Sequence, residues 1–200
     1  MTYNSPLGPT AWSDESFQEK ESAGFYIMAA AVIEPDAAQR AREAMLDLRG
    51  AGHGKRHHKL HWTEMDHRQR AEASRTIAAL GGLHLVAIGS PVPPRRQERA
   101  RAKCLSELVA QLHDFKVDCL YLEAREQVLN RRDVRTVTNA RHALPKGSTL
   151  RIEHVHGGSE PLLWVADVVA GACRFEQLGQ GEYRAALGDD VLDFEVVTGC

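Results

Sequence analysis

The sequence has no paired cysteines. Cys104, Cys119, Cys173 and Cys200 are scattered over 200 residues, and no Cys-x-x-Cys spacing could bring two of them to one metal or one redox disulfide. A structural zinc site is disfavoured, and reduced thiols in a cytoplasmic protein are expected. Cys200 is the last residue, so the three residues that must follow a prenylated cysteine are absent. An excess of one charge is also lacking. Lys and Arg number 25 against 27 Asp and Glu, a net charge of −2 with histidine neutral. No overall field draws in a polyanion, so any such contact must use a local patch. No apolar run approaches the roughly 20 residues of a membrane-spanning helix. The opening MTYNSPLGPT lacks the basic-then-apolar order of a secretory signal, and no membrane partner is expected. There is no glycine loop of the Walker or dinucleotide type. Ser16 lacks the Gly-x-Ser-x-Gly setting of a serine hydrolase.

What is present suits an ordinary globular chain: 43% hydrophobic and 26% charged residues, in a length that one domain can fill. Pro6, Gly8 and Pro9 mark residues 1–10 as a flexible N-terminal arm, with one domain over 11–200. Strands are expected at 11–16, 24–33, 83–88, 117–122 and 149–155. The second is apolar throughout and reads as buried. A polar loop, Glu19-Lys20-Glu21-Ser22, joins the first two as an antiparallel hairpin. Helical periodicity covers Asp36–Arg49, Asp66–Leu80, Arg95–His113, Gln127–His142 and Glu160–Glu176, with Gly50 and Gly81-Gly82 as stops. Three antiparallel strands followed by a β-α-β-α tail make an α/β mixed sheet with flanking helices.

Within the last helix, Pro161-Leu-Leu-Trp-Val-Ala-Asp167-Val-Val-Ala-Gly-Ala is apolar on nearly every side. An uncompensated carboxylate there is costly. Leu163, Ala170 and Gly171, one turn away, cannot neutralise it. An arginine, a lysine or a metal ion must therefore come from elsewhere, and a plain structural ion pair meets the need as well as a metal does. Two further acids sit at strand ends, where open α/β sheets build sites: Asp14 on the first strand, beside Glu15, and Glu123 after the fourth, with Glu126 and Asp133 as nearby substitutes. An acid on strand one, an acid ending strand four and an acid on the last helix is the RNase H-like order. Carboxylates so arranged converge on Mg²⁺ or Mn²⁺, hard ions that prefer oxygen and that serve phosphodiester hydrolysis.

Three segments carry a resemblance. Asp14-Glu15-Ser16 before the apolar strand, Lys59-Leu60-His61-Trp62, and Leu162–Gly171 with its Ala-Asp pair together resemble the family known as domain of unknown function 3800. The likeness spans about Trp12 to Arg174, although Phe17 stands where that family often has glycine. It implies an RNase H-like fold and an acidic metal site.

The histidines offer a rival. His53, His57, His58 and His61 lie in one loop, and His154 and His156 alternate about Val155 near a strand end, a spacing that can serve zinc. Lys55, Arg56 and Lys59 in the same loop oppose a divalent ion and suit phosphate instead. The Arg95–Arg101 and Arg131–Arg135 runs read as solvated helix faces, the second partly placed to meet a phosphate chain. The leading expectation is a metal-dependent, nuclease-like phosphodiester hydrolase acting on nucleic acid. In it Asp14, Glu123 and Asp167 serve as catalytic metal ligands, and Lys59 and His61 contact substrate. The alternative is a non-catalytic RNase H-like module that binds nucleic acid or a protein.

Overall fold

The computed structural model describes residues 9–20, 24–52, 59–145, 148 and 150–200. Residues 1–8 of the expected arm lie outside these, as do His53, Lys55, Arg56, His57 and His58 of the basic loop. The strands are β1 (Thr10–Gln18), β2 (Phe25–Ile33), β3 (Leu83–Ser90), β4 (Cys119–Glu123), β5 (Arg151–Val155) and β6 (Val191–Val197). The helices are α1 (Ala38–Gly52), α2 (His67–Leu80), α3 (Gln97–Asp114), α4 (Gln127–Arg141), α5 (Leu162–Gln177) and α6 (Glu182–Ala186). One six-stranded sheet runs β5-β4-β1-β2-β3-β6. Pairs β1–β2 and β2–β3 are antiparallel, while β1–β4, β4–β5 and β3–β6 are parallel.

The sheet is covered on both faces, and β2 shows why. All nine of its residues are buried, because neighbouring strands flank it and helices lie above and below. Phe25, Ile27, Ala29, Ala31 and Ile33 join a core with α1, α2 and α5. Tyr26, Met28, Ala30 and Val32 point the other way, into a core with α3, following the two-residue period of a strand. Local chemistry sets the ends of α2. The Asp66 carboxylate accepts the Gln69 N–H while the Gln69 side chain accepts the Asp66 N–H, a reciprocal cap. Gly81, at φ 69°, closes the helix in a conformation that favours glycine. No helix among the described residues is long and apolar enough to cross a membrane.

Besides the short helix α6, which lies beyond the last expected helix, three features differ from the sequence expectations. β1 runs on to Gln18, so Asp14 lies inside the hairpin ladder rather than at its end, although the ladder to β4 stops one residue earlier, at Ser13↔Leu122. β4 begins at Cys119, and Val117 falls before it. The sheet also gains β6, an edge strand beside β3. Its alternation, with Phe194 and Val196 packed on the α3 side of the sheet and each preceded by an acid, Asp193 and Glu195, is an amphipathic strand signal beyond the five expected strands.

Candidate carboxylate–lysine site

Strand alternation divides the two acids of β1 between the faces of the sheet. Trp12 belongs to the α5-side core and Ala11 to the α3-side core. Asp14 therefore follows Trp12, and Glu15 follows Ala11. Parallel pairing sets Trp12 beside Tyr121, their rings stacked at 5.7 Å. Two residues further along the same face come Asp14 and Glu123. The two carboxylates share one cation: Lys59 Nζ lies 3.2 Å from Asp14 Oδ2 and also hydrogen-bonds Glu123 Oε2.

Lys59 is delivered by its own short segment. Trp62, three residues on, wedges against α5 at Gly171, where an added methyl group would overlap the indole ring. Phe175 and Tyr183 meet that ring edge-on at 5.6 and 5.2 Å. The Trp62 N–H donates to Asp167 Oδ2 at 2.8 Å, so the wedge that seats the lysine also orients the helix carboxylate. His61 Nδ1 stands 4.0 Å from the same oxygen at the rim, with its side chain 41% exposed. On the far side, the Trp164 indole N–H donates to the Gly157 carbonyl at 2.8 Å. Gly157 in turn lies so close to Glu123 that an added methyl would overlap its carboxylate.

The site is short of positive charge. Burial holds the Asp14 carboxyl well above the usual carboxylate range, and Asp167, Glu15 and Glu123 add repulsion that Lys59 does not cancel. Burial also raises Asp167, although the Trp62 N–H and the charges of Lys59 and His61 oppose the rise. Burial alone would lower the Lys59 ammonium, but Asp14 and Glu123 more than reverse this and hold it above its ordinary value. Three carboxylates facing one ammonium leave an excess close to what one divalent cation would balance. Oxygen donors and that charge suit a hard ion such as Mg²⁺ or Mn²⁺. The arrangement is not a preformed cage: among the described residues no group of three His, Cys, Asp or Glu side chains is set to hold a metal, and Lys59 bridges two of the three acids.

A second polar cluster backs the first from the opposite face. Arg101 on α3, 2% exposed, meets Glu15 Oε2 at 2.7 Å and grips Asp133 of α4 through two bonds of 3.0 and 2.9 Å. It also donates to the Tyr26 hydroxyl at 3.2 Å. Asp133 accepts from Arg125 at 3.0 Å as well, and His154 of β5 lies 3.4 Å away. Burial would raise Asp133, but His154, Arg101 and Arg125 overrule it and hold the carboxyl at about 2. Glu15 follows Asp14 and Arg125 comes two residues after Glu123, so this pair ties the backbones of both site acids to one anchor.

Asp14, Glu123, Asp167, Lys59 and His61 are thus brought together. Glu126 is exposed at the start of α4 and Asp133 is committed to the arginines, so neither takes the place of Glu123. His154 serves the opposite face, 3.4 Å from Asp133, and His156 is exposed beyond the end of β5. The roles of Gly157, the Trp62 N–H and the Arg101–Asp133 pair were not read from the sequence. Only the Arg-Asp-Val-Arg run around Asp133 hinted at any of them.

The chain is similar in structure to the ribonuclease HII of Archaeoglobus fulgidus, solved in a complex with PCNA. The TM-score is 0.50 at 13% identity, covering 90% of this chain and 80% of that one. The fold is RNase H-like. No family model matches the sequence, and no curated protein matches it.

Proposed function

We propose that the protein is a divalent-metal-dependent phosphodiester hydrolase acting on nucleic acid, with Asp14, Glu123 and Asp167 as the metal-holding residues. One observation carries this reading: in an RNase H-like sheet, three acids from β1, β4 and α5 gather about a single lysine, and burial and mutual repulsion raise the pKa of two of them. The resemblance of the three segments around Asp14, Lys59 and Asp167 to the domain of unknown function 3800 family supports it. Mg²⁺ or Mn²⁺, when bound, supplies Lewis acidity toward a phosphodiester oxygen and toward water. The chain's own residues do the rest. Asp14, Glu123 and Asp167 would hold the ion, and Lys59, displaced from Asp14 and Glu123, would be free to turn its ammonium to a phosphate oxygen. His61, at the rim, donates a hydrogen bond to the same group. All four cysteines are free and three are buried, which supports a reducing, cytoplasmic setting.

The test is calorimetry with Mg²⁺ and Mn²⁺ on the wild type and on Asp167→Asn. The amide keeps the shape and can still accept the Trp62 N–H. Wild type is expected to give heat and a thermal shift worth about 2.7 kcal/mol at a hundredfold excess over Kd. Asp167→Asn should lose both while keeping its fold. Absence of heat for the wild type would overturn the reading. The contact of Lys59 with both Asp14 and Glu123 would then favour the second one, a non-catalytic binding module in which lysine is the permanent cation.

A further inference from the structure

Away from the carboxylates, on the outer side of α3 and α4, two depressions of about 330 Å³ and about 320 Å³ run into one another, sharing Arg99, Ala102 and Thr136. Their walls are cationic. Arg99 and Lys103 stand one turn apart on α3, and Arg132 and Arg135 one turn apart on α4. All four are exposed, and neighbours at such spacing lie about 5–6 Å apart. Two carboxylates also line the groove, but both are committed elsewhere: Glu98 pairs with Arg125 at 2.6 Å and Asp133 with Arg101 and Arg125. Arg99 spends one N–H on the Thr198 carbonyl at 3.4 Å. Lys103, Arg132 and Arg135 make no ion pair among the described residues. Beyond the groove, half-buried Glu107 holds the Gln111 amide at 2.8 Å.

A merely solvated helix face mixes charges of both signs at i and i+4. The α4 helix does not. Its sole acid, Asp133, is buried, while Arg131, Arg132 and Arg135 face outward. In a chain with a net charge of −2, this is a local concentration of positive charge with a shaped floor. Ala102 keeps that floor low between the helices.

We infer that the α3–α4 groove binds the phosphate backbone of nucleic acid, as a second surface on the face of the sheet opposite the carboxylates. It shares with the functional reading the nature of the partner, but neither the metal nor the chemistry. Its test is therefore run in EDTA, where the carboxylate site is silent. Fluorescence anisotropy with a labelled duplex compares the wild type with the triple variant Lys103→Gln, Arg132→Gln, Arg135→Gln. Glutamine is a good helix former, so the fold is kept. Each lost phosphate contact removes about 0.9 from the slope of log K against log salt on duplex. The triple variant should bind at least tenfold more weakly, with the slope smaller by about two to three. Ala102→Glu, which puts a carboxylate on the groove floor, should weaken binding without removing any cation. Unchanged affinity and slope in both variants would overturn the inference. So would a wild type that binds no duplex, or poly-glutamate competing as well as unlabelled duplex at equal charge. Metal calorimetry reports on the carboxylates independently of all these outcomes.

Discussion

Replacing Lys59 with methionine removes the cation from the carboxylate site while keeping a side chain of similar length. Two unit charges 3.2 Å apart, the Lys59–Asp14 separation, attract by about 5 kcal/mol at an effective dielectric constant of ~20. The net cost of removing one partner from a buried pair is about 3–5 kcal/mol, because the remaining charges lose their compensation. For a chain of this size each kcal/mol moves Tm by about 2–4 °C, so the expected fall is about 6–20 °C. The loss must depend on pH in a definite direction. Asp14 and Asp167 already have folded-state pKa values above the unfolded value, and losing the lysine raises them further. Stability linked to a raised pKa is fully present below the unfolded value and is lost as pH rises through the folded one. The deficit of Lys59→Met against the wild type should therefore be largest at pH 8 and shrink toward pH 5. Thermal unfolding in EDTA across that range measures it. Adding Mn²⁺ at pH 8 should then restore more of Tm in the variant than it adds to the wild type, since no ammonium competes for Asp14 and Glu123. A Tm that does not change with the substitution, or a deficit that grows on acidification, would refute the placement of Lys59 among ionised acids.

Gly157→Ala should displace the Glu123 carboxylate, which overlaps the new methyl. The expected outcome is metal affinity at least tenfold weaker by calorimetry, with Tm lowered by only a few degrees. Asp133→Ala leaves Arg101, 2% exposed, without its two-pronged partner, so denaturant unfolding should show a loss of about 3–5 kcal/mol. Because the Asp133 carboxyl is held at about 2, its contribution is present above the unfolded value near 4 and is lost only as pH falls through about 2. The gap between wild type and variant should thus persist at pH 4. Gly171→Ala pushes a methyl into the Trp62 ring. Overpacking of this kind costs about 1–3 kcal/mol, read as a lower Tm together with altered tryptophan fluorescence.

The elements that were legible each leave a one-dimensional signature. The run Phe25–Ile33 is apolar at every position, and burial on both faces of a central strand is the condition that such a run satisfies. Asp66 with Gln69, then Gly81, mark both ends of α2 before any tertiary contact is considered. Asp167 stood out as a charge on a helix with no local means of neutralising it, and Asp14 and Glu123 could be picked out by their positions along the strands. The identity of the neutralising cation could not be read in the same way. Lys59 is separated from Asp14 by 45 residues and from Glu123 by 64, and its arrival depends on Trp62 finding the gap left by Gly171. Nor could spacing reveal that Glu15, which strand alternation turns away from Asp14, pairs on the opposite face with Arg101, or that Gly157 crowds Glu123. Sequence periodicity determined which residues lie on which side of each element. Which sides meet depended on the order β5-β4-β1-β2-β3-β6, because ion pairs and close packing act across a few ångströms of space, whatever the distance along the chain.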